Sequence, residues 1–249
     1  MTKIIINADD FGYSRSINEG ILEAIKNGVV SSTSIMVYGK AASEAVKLKN
    51  IDNISVGLHL HMEDVVLSLQ EEFDKQVKMF IKLFGRAPDH VDVHKPRSSN
   101  MEQISPLLER YSEEHQIPSR ELNHAKSIKG FFGINVNGGQ DVDSERVSVE
   151  NLLHILENLD EGVSEIMTHV GYSDDELRSM SSYNDTRELE LKTLTDEKVI
   201  KYFNKTDNLK LVNWKTAFPH GVSSELGVCG DNDLSAEQSK KKVKNLEND

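Results

Sequence analysis

The sequence predicts an α/β fold, a closed or nearly closed barrel of about seven parallel strands. Short apolar runs alternate with amphipathic helical stretches through most of the chain, the pattern of a parallel sheet with helical crossovers. The first run, Ile4-Ile5-Ile6, is continuous rather than alternating, as in a strand covered on both faces. At 249 residues and 37% apolar composition, the chain can bury one full core, and α/β barrels of this length are ordinary.

The elements follow in order. Strand one ends in Asn7-Ala8-Asp9-Asp10-Phe11-Gly12. Ser16 with Glu19 reads as a capping box, Ile17, Ile21, Ala24 and Ile25 recur at helical spacing, and Gly28 is the stop. Strands are expected at Ser32–Val37, Ile54–His61, Val91–His94, Glu165–His169 and Leu209–Trp214, with short extended pieces near Ile128 and Phe131–Val136. Helices are expected at Ala41–Leu48, Glu72–Leu83, Met101–His115, around Leu152–Leu159, and at Thr186–Leu194 and Asp196–Phe203. Pro106 is placed in the first turn of its helix with Ser105 as the cap. Residues 117–146 are hard to read. No internal repeat is present. Residues 1–218 are expected to form one barrel domain. Residues 219–249, with Gly221, Gly227, Gly230 and the run Lys240-Lys241-Lys242, read as a polar, disordered appendage.

Composition limits partners. A net charge of −12 argues against nonspecific nucleic-acid binding, which needs a basic surface. Cys229 is the single cysteine, so no intrachain disulfide is possible and a reducing cytoplasm fits. The N-terminus enters a strand with no leader pattern, and no apolar run approaches the roughly 20 residues of a membrane span. A cytoplasmic protein with neither membrane nor nucleic-acid partners is expected; a homodimer is compatible with the sequence.

Two adjacent carboxylates at a strand tip repel each other. Asp9 and Asp10 are therefore either a solvated turn or a functional pair, explained by a bound cation or by one ligand beside one base. His59 and His61 lie at i and i+2 near the end of the third strand, His94 ends the fourth, and His169 ends a later one. In a parallel barrel all strand C-terminal ends meet on one rim, so these residues converge although about 160 positions of sequence separate them. One carboxylate with two histidines is a sound set for a divalent cation that keeps an open position. His90, His115, His124, His154 and His220 fall at strand starts, in helices or in loops, and read as structural or surface.

At these residues the chain resembles the YdjC-type carbohydrate deacetylases. The motifs are Asn7-Ala8-Asp9-Asp10-Phe11-Gly12, Gly57-Leu58-His59-Leu60, Asp92-Val93-His94 and Thr168-His169-Val170-Gly171-Tyr172. Gly28–Ser34, Phe84–His90, and Ser182-Tyr183 followed by Arg187-Glu188 agree with them. The resemblance runs from about residue 3 to 214, in the family's order. It implies a distorted (β/α) barrel of the glycoside hydrolase/deacetylase type. It also implies metal-dependent hydrolysis of the amide C–N bond of N-acetylated sugars. Carried over, the ligands of one divalent ion (magnesium or zinc, with manganese or cobalt as alternatives) would be Asp10, His59 and His94. Asp9 would be the general base, and His169 the proton donor to the leaving amine. Asp92 would orient a histidine. Arg187 would order an acidic partner or hold sugar hydroxyls, with a surface ion pair as the alternative. Tyr172 would stack on a sugar, while Trp214 is the better fit to core packing.

The chain departs from the family in three places. The common Asp-Ser-His-x-His is Asp92-Val93-His94-Lys95-Pro96 here, the stretch from His59 to His94 is short, and His61 replaces an asparagine or apolar residue. These changes bear on substrate choice, and Lys95 is a candidate for contacting substrate. Two other functions stay open: a catalytically impaired barrel acting as a sugar-binding or regulatory protein, and a metal hydrolase of another bond such as a phosphodiester. The latter would want more cations near the site than Lys95 and Arg97.

Overall fold

The computed structural model describes residues 1–63, 65, 68–96, 98–133 and 142–222. Seven parallel strands form one sheet: β1 (Thr2–Phe11), β2 (Ser32–Ile35), β3 (Ser55–Leu60), β4 (Val91–Val93), β5 (Lys126–Ile128), β6 (Gly162–Thr168) and β7 (Leu209–Leu211). They run in the order β4-β3-β2-β1-β6-β5, with β7 also on β1. β1 is long enough to take two partners on one side. Thr2–Ile4 pairs with β7, the stretch from Asn7 pairs with β2, and β6 lies along the other side. Ile4, Ile5 and Ile6 are fully buried, as their unbroken apolar run requires.

Among the described residues the sheet curls into a part-barrel and does not close, because β4 and β5 end the strand path. Residues just after the third helix approach the free edge of β4 through one parallel bridge, Val91 to Ser119. The Val91 N–H donates to the Pro118 carbonyl at 3.0 Å. Pro118 has no N–H to offer the Asp89 carbonyl, so the ladder cannot extend in that direction.

The crossovers carry α1 (Arg15–Asn27), a 3₁₀ helix (Ala42–Asn50), α2 (Leu69–Phe84), α3 (Ser98–His115), α4 (Val149–Glu157), α5 (Asp175–Met180), α6 (Asp185–Leu194) and α7 (Glu197–Lys205), and α8 (Trp214–Ala217) follows β7. α2 shows how local chemistry sets both ends. Ser68 and Glu71 form a reciprocal capping box, and Gly85, at φ 92°, supplies the left-handed stop with its N–H on the Ile81 carbonyl. Phe73, Phe80 and Phe84 face the core.

Several expectations are corrected. Ser14, not Ser16, caps α1: its hydroxyl accepts from the Ile17 N–H, and Ser16 pairs with that hydroxyl instead. The Ala41–Leu48 helix is the 3₁₀ helix. α3 begins at Ser98, so Pro106 lies inside it rather than at its start. The last strand ends at Leu211. Asn213 then caps α8, which swings Trp214 into the core, fully buried and stacked on His90 at 5.2 Å. Within the expected extended piece Phe131–Val136, residues 131–133 have no regular structure, and the rest lies outside the described residues.

Val222 is buried, and the proposed appendage lies outside the described residues from 223 onward. Among the described residues no helix is long and apolar enough to cross a membrane.

One close approach positions the site. A Cβ on Gly20 of α1 would fall 2.5 Å from the Gly171 Cα. Two glycines therefore let α1 press on the loop after β6, where the Tyr172 N–H donates to the Ser16 carbonyl at 3.0 Å.

Candidate active site

The two aspartates share one pocket because β1 carries a bulge. Ala8 pairs with Thr33 and Phe11 with Ile35, so β1 spends one residue more than β2 between the two pairs. Asp10 takes up the excess at φ 72°, a left-handed conformation that aspartate tolerates better than most residues. In a regular strand successive side chains would leave on opposite faces; here both carboxylates are buried near His59.

Parallel register supplies the next pair. His59 on β3 stands opposite Asp92 on β4, and its Nδ1 lies 2.7 Å from Asp92 Oδ1. That contact assigns the proton to Nδ1 and leaves Nε2 free to act as a donor to a metal. Nε2 lies 3.3 Å from Asp10 Oδ1 and 3.1 Å from His94 Nδ1, which is itself 3.2 Å from Asp10 Oδ1. His94 is held in line by its N–H on the Leu60 carbonyl at 2.8 Å.

Among the described residues Asp10 Oδ1 is buried without a hydrogen-bond partner, while Oδ2 takes a hydrogen bond from Arg187 Nη2 at 2.7 Å. An orphan carboxylate oxygen beside two imidazole nitrogens, all within 4.8 Å of one another, fits a divalent cation. Burial alone would raise the Asp10 pKa, yet Arg187, His59 and His94 hold it well below the usual carboxylate range. Burial likewise opposes charge on His59, but Asp92, Asp9 and Asp10 push its pKa well above the usual histidine value.

A second trio, Asp9, His59 and Asp92, also brings ligand atoms together. Arg120 already occupies that side. Its Nη1 and Nη2 each donate to Asp9 at 2.8 Å, and Nη2 lies 3.3 Å from Asp92 Oδ2. Its Nε and Nη2 donate to Glu165 of β6 at 2.9 Å. Asn7 adds a bond to Asp9 Oδ1 at 2.7 Å. Despite burial, Arg120 and His59 keep Asp9 ionised, with its pKa pushed far down. Burial raises Glu165 to about 7, against the pull of Arg120.

His169 follows β6 on the same rim. Burial lowers it to about 4, partly opposed by Asp10 and Asp9, so the imidazole is neutral at pH 7. Its Nδ1 is buried with no partner among the described residues. Its backbone is held by α6: the N–H donates to Glu190 Oε2 at 2.6 Å, and Arg187 Nη1 reaches the carbonyl at 3.5 Å. The Tyr183 hydroxyl donates to Glu190, whose pKa burial raises to about 7. Arg187 Nε completes the clamp on the Tyr183 carbonyl at 2.9 Å.

Of the residues singled out in the sequence, the structure gathers Asp9, Asp10, His59, Asp92, His94, His169 and Arg187. Arg187 is buried, so the surface ion-pair alternative is excluded. Two others stay on the rim. Lys95 is exposed at φ 47° with its Nζ 3.7 Å from Glu63, and Tyr172 is 42% exposed. Arg97 lies outside the described residues.

Sequence reasoning missed Arg120, Glu165 and Glu190. Arg120 comes from the stretch that could not be read. Glu165 was visible as an acid inside an apolar strand, and Glu190 as the residue three after Arg187 on one helix face. His90, set aside as structural or surface, is fully buried; its Nε2 lies 3.7 Å from Asp92 Oδ2, and burial lowers its pKa to about 4.

The part-barrel recurs in solved structures. A protein of Enterococcus faecalis V583, provisionally assigned to cellobiose-phosphate cleavage, superposes with a TM-score of 0.69 at 23% identity, over 86% of this chain and 98% of its own. The Bc1960 peptidoglycan N-acetylglucosamine deacetylase superposes with a TM-score of 0.55 at 14% identity, over 89% and 90%. At those identities the likeness is one of fold. Sequence relatives are nearer. A carbohydrate deacetylase of Thermoanaerobacter pseudethanolicus is 32% identical over 86% of this chain and 98% of its own length. One of Clostridium beijerinckii is 31% identical over 86% and 99%. The YdjC-like protein family model matches residues 3–69 and 65–205, spanning both aspartates, both pocket histidines, His169 and the α6 clamp, and the chain belongs to that family.

Proposed function

We propose that this protein is a metal-dependent carbohydrate deacetylase that hydrolyses the N-acetyl group of sugars such as N-acetylglucosamine-containing oligosaccharides. The observation that carries the reading is the convergence of Asp10 Oδ1, His59 Nε2 and His94 Nδ1 in a chain whose relatives are carbohydrate deacetylases. A divalent ion on these three atoms would polarise the acetyl carbonyl and acidify water, the two things an unreactive amide needs. The ion proposed is magnesium or zinc, with manganese and cobalt as alternatives; by donor type two imidazoles and a carboxylate suit zinc better than magnesium.

The chain's own groups divide the remaining work. Arg187 holds Asp10 Oδ2, so that Oδ1 stays turned toward the two imidazoles. Asp92 fixes the His59 tautomer. Asp9 is ionised across the working pH range and accepts the proton of the attacking water. Tied to Arg120, it is a weak base, able to take that proton only as attack makes the water acidic. His169 starts neutral, gains that proton within the site, and passes it to the departing nitrogen. A donor with a pKa near 4 protonates an amine readily.

Among the described residues, the fate of the cations disfavours the phosphodiester alternative. Arg120 and Arg187 are committed to buried carboxylates, and Lys95 is paired with Glu63. The protein works in the cytoplasm on a small carbohydrate. Elemental analysis of the purified protein, followed by acetate release from N-acetylglucosamine and its β-1,4 oligomers with and without chelator, tests the proposal. Metal-dependent acetate release supports it; release of phosphate from a diester panel, or no turnover with metal bound, refutes it.

A further inference from the structure

We propose that Glu190 is a positioning residue for His169, acting through the His169 amide and the Tyr183 hydroxyl to aim the imidazole at the leaving nitrogen. This rests on His169 as the proton donor in the reaction above. A histidine that must hold one orientation commonly has a carboxylate or carbonyl on its second ring nitrogen. His169 has none: Nδ1 is buried and unpartnered among the described residues. Its direction must come from the backbone and from neighbouring rings.

Both are supplied around Glu190, a fully buried carboxyl on α6. Its Oε2 accepts the His169 N–H at 2.6 Å, and its Oε1 accepts the Tyr183 hydroxyl. The Tyr183 ring lies 5.3 Å from the His169 ring at 56°, and Phe132, stacked on Tyr183 at 5.1 Å, lies 5.5 Å from His169. One carboxyl therefore fixes the peptide that carries the imidazole and the ring that walls it. Arg187, one turn earlier on the same helix face, reaches the His169 carbonyl, so α6 grips the residue on both sides while its arginine holds Asp10. A buried carboxyl with a purely architectural role would support amide and ester hydrolysis alike. A positioning role affects the amide far more, because an alkoxide or phenoxide leaves with less help from a proton donor than an amine does.

The test compares metal-loaded wild type, Glu190→Ala, Glu190→Gln, Tyr183→Phe and His169→Ala. The amide probe is acetate release from the β-1,4 disaccharide of N-acetylglucosamine; the ester probe is chelator-sensitive hydrolysis of 4-nitrophenyl acetate. Glu190→Ala should lower kcat on the amide by about 10–100-fold with little change in KM, and lower the ester rate by no more than about threefold. Glu190→Gln keeps an oxygen for the His169 N–H and should recover most of the loss. Tyr183→Phe should show a smaller, still amide-selective, loss. Equal losses on both probes, or a Glu190→Gln no better than Glu190→Ala, overturn the proposal while leaving His169 in place. If His169→Ala is itself unselective, or wild type releases no acetate from the disaccharide, the reading of His169 fails and the proposal falls with it. Should Glu190→Ala not fold, the two volume-conserving variants decide by the same ratio.

Discussion

At the scale of single residues, the two neighbouring aspartates have different partners, which is the basis of the proposed division of labour between them. Asp10 turns one oxygen to Arg187 and the other to two imidazoles; Asp9 gives both of its oxygens to Arg120. Asp10→Asn should abolish metal binding and turnover together. Asp9→Asn should keep the metal and lower kcat by roughly 10²–10⁴, the range for a lost general base. Equal loss of metal in both variants would refute the division. Arg120 is the sharper stability test. Its removal leaves Asp9, Glu165 and Asp92 buried together without their cation. Arg120→Ala should cost about 3–5 kcal/mol in chemical denaturation of the metal-free protein, the usual penalty for stranding a buried charge. A cost under about 1 kcal/mol would mean that the three acids find protons or water instead. The histidines and aspartates were legible because each closes an apolar run, and strand ends of a parallel sheet share a rim. Arg120, Glu165 and Glu190 were not, since their meaning lies in partners 21 to 111 positions away.

At the scale of elements, the helices and strands that were legible are those whose ends carry their own chemistry. α2, with its capping box and glycine stop, is where its periodicity placed it apart from an earlier first turn. α3 was misplaced at its start because proline there normally marks a first turn. Pro106 instead sits eight residues in, where it removes an intrahelical bond and crowds the preceding turn. The surface helix pays that cost with no catalytic group on it. Pro106→Ala should therefore stabilise the fold by about 1–3 kcal/mol and leave kcat and KM unchanged. An unshifted denaturation midpoint would show that the helix has already bent to absorb the ring. A Gly20→Ala variant probes the opposite kind of contact. The added methyl meets the Gly171 backbone, so α1 and the loop carrying His169 must separate. Turnover should fall while the metal stays bound, and unaltered turnover would show that the loop can shift without disturbing His169.

At the scale of the whole molecule, a part-barrel with one curled sheet gathers acids from β1, β4, β6 and α6 into one polar interior. The resulting charge balance makes stability depend on pH in a direction the groups fix. Above about pH 6.5 Asp9 and Asp10 are ionised in folded and unfolded chains alike; His90 and His169 are neutral in the folded chain, and the protons the unfolded chain still holds on them near pH 6.5 give a smaller gain with rising pH that ends by about pH 7.5. The raised groups decide. Glu121, Glu165 and Glu190 have been pushed by burial to about 7, and His59 stands well above its ordinary value. Each binds a proton more tightly in the folded chain than in the unfolded one. The stability each lends is complete below its unfolded pKa and is lost as pH climbs through the folded one. The metal-free protein should thus lose Tm steadily from pH 6 to 8. A divalent cation at the proposed site would act in the opposite sense, because it would need the His59 Nε2 lone pair and would gain affinity as that proton leaves. The gap between Tm in the presence of the native metal and Tm in chelator should widen across the same interval. Calorimetry of metal binding near neutral pH, repeated in buffers of different ionisation enthalpy, should register proton release. A chelated protein whose Tm is flat or rises from pH 6 to 8, or a gap that stays constant, would mean that His59 is neutral before the metal arrives. The Asp92–His59–Asp10 line would then be set by geometry alone.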